Sequence, residues 1–312
     1  MKVQRPRKRR TVACIQSIPL LNLVAHLEGP LPDPADVFAK LLKHVYDLLG
    51  EQTAYVGMAP HEGSRIRAIP EFVPLSRLSS ELSDIFNRTI AVSNLSLLTA
   101  QETDYWRLAY WTTPHHVEFM PLDDTLTFDV YYDILPDRQM PEFFGKSPPI
   151  HHKLVEVCKS MIGVLDATGL CYNALVDVDI SDNTSHGRFY SYLCQDHQPW
   201  PRLVEFVRWG RLGELRRERV RNLSWGTYLG PKMAARLDPD GTFIERFLQP
   251  RASDLIPEKA QSAIRFESGG MFLALSDDPY DCVEPHFAVG SNAPVVVNGA
   301  WLWEELTKAK MI

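Results

Sequence analysis

Residues 150–180, IHHKLVEVCKSMIGVLDATGLCYNALVDVDI, constrain the fold more than any other stretch of the chain. Leu154, Cys158, Met161, Ile162 and Leu165 recur at the three- and four-residue spacing of one helix face, and Gly169 supplies the stop. The period then changes, and Leu175, Val176, Val178 and Ile180 crowd together as strand formers. An amphipathic helix that feeds directly into a strand needs a sheet to cover its apolar stripe. Upstream, LTFDVYYDIL reads as a second strand, cut off from the helix by the prolines and glycine of PDRQMPEFFGKSPP. Strand, helix, strand predicts an α+β fold: an antiparallel or mixed sheet with helices packed on one face, built as one unit or as two related or packed subdomains.

Other elements are read around this unit. EGPLPDPADVFAKLLKHVYDLLGE predicts a helix capped by Asp33 or Asp36, with Val37, Leu41, Val45 and Leu48 on one face and Gly50 at its end. LSSELSDIFNRTI is a weaker helix, and Pro60, Pro70 and Pro74 break the region between into loop and short extended pieces. Downstream, PWPRLVEFVRWGRLGELRRERVRN is basic and helical, with Glu214–Arg217 and Glu218–Arg221 at pairing distance. AIRFESGGMFLALSDDP reads as a hairpin turning at Ser268-Gly269-Gly270, and APVVVNGAWLWEELTKA ends in a C-terminal helix. The expected division is a basic tail over 1–12, a helical and mixed region over 13–115, and a main α+β domain over 116–312.

Composition narrows the functional classes. The chain of 312 residues is 45% hydrophobic and 23% charged, which is ordinary for a globular protein. Its net charge of −6 argues against a nucleic-acid binder, whose affinity rests on basic surface. No apolar run reaches the roughly 20 residues that a membrane helix needs. TVACIQSIPLLNLVA follows the basic start in the manner of an export signal, but Gln16, Ser17, Pro19 and Asn22 interrupt it, so a cytoplasmic location is expected. Cys14, Cys158, Cys171, Cys194 and Cys282 are scattered without a C-x-x-C pair, which fits a reducing compartment.

No stretch states a reaction. NLSWGTYLGPKMAARL has glycines at 226 and 230 beside Lys232, but neither a P-loop nor a G-x-G-x-x-G pattern is present. Pro231 suits the first turn of a helix whose apolar face is Met233, Ala234 and Leu237, so the stretch reads as a strand-to-helix joint. The alternative is an anion site at that helix start. The pairs His115-His116, beside Glu118, and His151-His152 lack the H-E-x-x-H spacing. Asp177 and Asp179 share a face at a strand end, with His186 beyond, which admits a hard-cation or acid–base site; the EF-hand pattern fails at Asp182 and Arg188. Asp277, Asp278, Asp281 and Glu284 follow a strand and suit either acid–base chemistry or a contact for a basic partner. No cofactor or metal signature is found.

The joint also carries a likeness. Trp225, Gly226, Thr227, Tyr228, Leu229, Gly230 and Pro231, then Ala235, Arg236 and Leu237, with Gly269, Gly270, Asp277 and Pro279 downstream, resemble bacterial immunity proteins of type VI secretion and polymorphic toxin systems. The resemblance spans residues 120 to 290. It implies a non-catalytic cytosolic antidote that binds and neutralises a cognate protein toxin, with no cofactor. On that reading Asp277, Asp278, Asp281 and Glu284 are candidate partner contacts, while Trp225, Gly226, Tyr228, Gly230 and Pro231 are framework. The competing reading is a metal-assisted or acid–base enzyme using Asp177, Asp179 and His186, or the carboxylates from Asp277 to Glu284.

Overall fold

The computed structural model describes residues 19–49, 53–60, 67–74, 77, 82–83, 92–99, 104–111, 124–132, 149–180, 213–220, 225–250, 261–277 and 300–311. Its strands are β1 (Pro19–Leu27), β2 (Thr53–Pro60), β3 (Arg67–Pro74), β4 (Val92–Thr99), β5 (Asp104–Trp111), β6 (Asp124–Tyr132), β7 (Cys171–Ile180), β8 (Gly226–Leu229), β9 (Ser262–Arg265) and β10 (Met271–Ala274). They form one ten-stranded sheet in the order β3-β2-β4-β5-β6-β1-β7-β8-β10-β9. Every described pairing is antiparallel. The fold is α+β, with helices packed against an antiparallel sheet. β1 lies between β6 and β7, so the sheet runs unbroken from the 13–115 stretch into the 116–312 stretch.

Two long helices, α1 (Pro34–Leu49) and α2 (Pro149–Ala167), pack on each other across one sheet face. Asp33 starts α1 by accepting the Asp36 N–H at 3.0 Å, which pairs a donor that the first turn leaves open. Phe38 of α1 meets Tyr110 of β5 edge-on at 6.4 Å, which fixes the helix over the sheet. The stripe Leu154, Cys158, Met161, Ile162 and Leu165 of α2 is buried as its spacing requires, and each such side chain contributes about 1.5–3 kcal/mol. Gly169, at φ +69, donates to the Asp166 carbonyl and turns the chain towards β7.

The same register marks the covered face. Val176–Leu23–Phe128 and Ala174–Ala25–Leu126 form rows across β7, β1 and β6, and all six residues are fully buried in the core cluster. β1 takes up residues 19–25 of the apolar stretch weighed as an export signal, and Leu21, Leu23, Val24 and Ala25 are buried there at the centre of the sheet. The region read as loop and short extended pieces supplies β2 and β3, and β4 and β5 follow in a stretch to which the sequence assigns no strand, because cross-strand partners far away in sequence complete runs too short to signal alone. Of the weaker helix at 78–90, only 82–83 are described.

The C-terminal part adds α3 (Pro231–Leu237), α4 (Phe243–Phe247) and α5 (Ala300–Lys308). Phe243 stacks on Trp301 at 5.4 Å, tying α4 to α5. Val220 donates to the Met311 carbonyl at 2.6 Å and so ties down the end of α5. The basic stretch before β8 is described only over 213–220, as one 3-10 turn at Gly213–Glu218. There Arg217 donates to the Glu28 carbonyl at 3.1 Å, and Glu218 pairs with Arg236 of α3 at 3.4 Å.

Candidate functional site

The joint from Trp225 to Leu237 and the β9–β10 hairpin meet in space. β8 lies between β7 and β10, pairing Gly226 with Val176 and Ala274, and Tyr228 with Ala174 and Phe272. Trp225 is buried, and its indole N–H donates to the Ser276 carbonyl at 3.0 Å and to Ser276 Oγ at 3.1 Å. Its ring meets Phe272 edge-on at 6.2 Å. A Cβ on Gly226 would come within 2.5 Å of the Phe272 ring, so glycine is required there for space.

Tyr228 sits on the helix-covered face and donates its hydroxyl to Asp166 Oδ1 of α2 at 2.6 Å. Ser268 donates to the same oxygen at 2.5 Å and accepts the Gly270 N–H at 3.0 Å. One buried carboxylate therefore gathers α2, β8 and the hairpin. Burial, then the nearby Cys171 thiol and the bond to Asp166, push the Tyr228 hydroxyl well above its ordinary range, so it stays protonated and donates. Gly270 is needed because a Cβ would meet both Asp166 Oδ1 and the Tyr228 hydroxyl at 2.6 Å. The hairpin loop itself is Glu267-Ser268-Gly269: Gly269, at φ +93, donates to the Phe266 carbonyl, and Phe266 donates to Gly270. The turn lies one residue earlier than the sequence pattern predicts.

Gly230 has φ −62 and ψ 167, a conformation open to any residue, so backbone freedom is not what demands glycine there. Its N–H donates to the Tyr172 carbonyl at 2.8 Å, and a Cβ would lie 2.8 Å from the Cys171 carbonyl oxygen. Close approach to β7 is what demands glycine. Pro231 then opens α3, whose Met233, Ala234 and Leu237 are buried. Lys232, the residue that suggests an anion grip, pairs with Glu28 at 3.3 Å.

The remaining candidates are described only in part. Asp177 and Asp179 fall in β7, opposite Asn22 and Leu20 of β1. His186, His115, His116 and Glu118 lie outside the described residues, as do Asp278, Asp281 and Glu284. His151 and His152 belong to the first turns of α2. Asp277 is exposed just beyond β10. Among the described residues, no group of three or more His, Cys, Asp or Glu is placed to hold a metal ion. Burial pushes the Cys158 and Cys171 thiols well up, leaving neither ready as a nucleophile. No described helix is long and apolar enough to cross a membrane. The network around Asp166 escapes sequence reasoning, because Asp166 reads as a solvated residue near a helix end.

No protein-family model matches the chain, and no curated protein matches it in sequence. Among solved structures, the fold is similar to that of a Pseudomonas aeruginosa T6SS protein, at 11% identity with a TM-score of 0.45, over 84% of this chain. The chain spans 66% of that protein's length.

Proposed function

We infer that the chain is a non-catalytic immunity-type protein that binds and neutralises a toxin delivered between bacteria by type VI secretion. The observation that carries this reading is the meeting of the two stretches that resemble immunity proteins. Trp225 bonds to Ser276, Gly226 packs under Phe272, and Tyr228 lies against Gly270, so residues distant in sequence make one structural unit. A chance likeness of two separate strings gives no reason for them to adjoin. The unit spends its polar groups internally, which assigns it to framework and leaves recognition to the surface. The acidic run that opens at the exposed Asp277 and continues through Asp278, Asp281 and Glu284 is the proposed contact for a basic patch on the toxin.

Co-expression tests this directly. A toxin encoded beside this chain should arrest growth alone and be tolerated with it, and the purified pair should co-elute. Charge reversal at Asp277 and Asp278 should weaken the complex and steepen its loss with salt. Growth arrest that persists on co-expression, with no complex formed, refutes the reading.

A further inference from the structure

The sheet ends on β3 at one side and on β9 at the other. An edge strand turns a row of N–H and C=O groups away from its sheet, and chains blunt such rows with prolines or charges. β3 is blunted in this way, with Pro70 inside it and Pro74 at its end. β9 holds no proline, and its one charged side chain, Arg265, is engaged by the buried Asp238 carboxylate.

Bonding within the hairpin fixes which groups of β9 face outward. Phe266 donates to the Gly270 carbonyl at 2.9 Å, which makes Phe266–Gly270 a hydrogen-bonded pair. Bonded and non-bonded pairs alternate along an antiparallel ladder. Ile264–Phe272 and Ser262–Ala274 are therefore bonded, whereas Arg265–Met271 and Ala263–Leu273 are not. The other side of β10 agrees: Leu275 donates to the Trp225 carbonyl at 2.9 Å, so odd-numbered residues of β10 bond towards β8. The N–H and C=O groups of Ala263 and Arg265 thus point off the sheet, and among the described residues no strand pairs with them. Ile264 and Phe266 are only half-buried against the core, which leaves apolar surface beside the open row.

We propose that β9 is a self-association edge, pairing antiparallel with β9 of a second copy of this chain about a two-fold axis at Ile264. A strand fits its own copy only where its open groups are self-complementary. In this register Ala263 stands opposite Arg265 of the second copy, and each open N–H meets an open C=O. Ile264 meets Ile264 of the second copy at a non-bonded position, where side chains lie closest, and Phe266 is its diagonal neighbour. Charge agrees, because Arg265 faces an alanine and is already neutralised by Asp238, so no like charges oppose each other. A second copy also arrives as a formed strand, without the ordering cost that a free extended segment bears. The edge is short, so the dimer is weak and concentration-dependent. It does not depend on the immunity-type reading.

Sedimentation velocity of the full chain over a concentration series, paired with cysteine cross-linking, tests the edge. The expected result is a monomer when dilute that shifts to a dimer when concentrated. Ala263→Pro should weaken the dimer by about tenfold or more, since symmetry removes two bonds at once. The Tm of the dilute variant should stay near that of wild type, because the lost N–H bonds nothing within the chain. Ile264→Cys should form a disulfide-linked dimer on mild oxidation, since a non-bonded antiparallel pair has the Cα spacing that a disulfide needs, while wild type under the same oxidation should not. Should Ala263→Pro fail to fold, the wild-type series and the Ile264→Cys cross-link still decide. A wild-type protein that stays monomeric at every concentration overturns the proposal. A dimer that survives Ala263→Pro and gives no Ile264→Cys cross-link also overturns it, and puts the contact elsewhere. Cross-linking through Ala263→Cys in place of Ile264→Cys overturns the register.

Discussion

Replacing Gly230 with alanine separates two explanations for a glycine, because they predict opposite signs. With φ −62 and ψ 167, the position accepts alanine without backbone strain. On conformational grounds alone, Gly→Ala at such a site stabilises by about 0.4–1 kcal/mol through the unfolded chain. Space argues the other way. The new Cβ would sit 2.8 Å from the Cys171 carbonyl oxygen, 2.9 Å from Tyr172 Cα and 3.1 Å from the Tyr172 carbonyl oxygen. These are backbone atoms of a central strand and cannot swing aside as a side chain would. Overpacking costs about 1–3 kcal/mol. The bond from the Gly230 N–H to Tyr172, at 2.8 Å, must also lengthen, at about 1 kcal/mol.

The clash therefore wins, and Gly230→Ala is destabilising by about 2 kcal/mol after the entropic gain is deducted. For a chain of this size that lowers Tm by about 4 °C, and the urea midpoint falls with no change in slope. Two controls sharpen the result. Gly29 has nothing within 4 Å of the place an added Cβ would take and no left-handed φ, so Gly29→Ala should leave stability unchanged within about 0.5 kcal/mol. Gly241 has equally open space but φ +76, so Gly241→Ala should cost about 1 kcal/mol through conformation alone. A Gly230→Ala protein as stable as wild type, or more so, refutes the close-approach account.

Tyr228→Phe removes one of two hydroxyl donors to the buried Asp166 and should cost about 1.5–3 kcal/mol by urea titration, whereas Ser268→Ala, at the exposed end of the network, should cost less. Asp238 bonds the Phe243 N–H at 2.8 Å and pairs with Arg265; because the carboxylate is fully buried and the guanidinium is 42% exposed, Arg265→Gln should destabilise more than Asp238→Asn. Tyr110 and Tyr228 are both raised, by burial first, then through the bond to Asp124 for Tyr110 and through Cys171 and Asp166 for Tyr228. A raised acid binds more protons folded than unfolded, so their stabilisation is complete below the usual tyrosine value of about 10 and declines as pH rises past it. Absorbance of tyrosinate should accordingly show a late fraction that appears only as the protein unfolds.

The α2–β7 unit is legible in the sequence because both its elements carry their own periodicity. The α2 stripe and the strand formers after Gly169 need no distant partner to be recognised. β1 is the opposite case. Its residues are apolar on both sides of the strand direction, since Val24 is buried along with Leu23 and Ala25, so the run lacks the alternation that marks a half-buried strand. An inner strand buried on both sides of its direction reads as a plain hydrophobic stretch, and the basic residues before it turn that stretch toward an export-signal reading. β2 and β3 are hidden by prolines at 60, 70 and 74, which fall at strand ends or on β3, the outermost strand, where a missing N–H costs no inner ladder bond.

The sites differ in legibility for a related reason. Pairing of two short motifs can be suspected from a shared likeness, but only β8–β10 register shows that Gly226 and Gly270 are both demanded by space at one junction. Asp166 gives no signal, because an aspartate near a helix end is common on surfaces and only tertiary packing buries it beneath Tyr228 and Ser268. Asp177 is visible as a strand-end carboxylate, yet its neighbours are not. Asn22 reads as an interruption in an apolar run and Asp129 as one polar residue in a strand, and nothing in either local pattern connects them. Register connects them: Asn22 of β1 lies opposite Asp129 of β6 and Asp177 of β7. A one-residue slip of β1 would carry Leu21, Leu23 and Ala25 off the face beneath the helices, so the burial of those three residues is what holds that register.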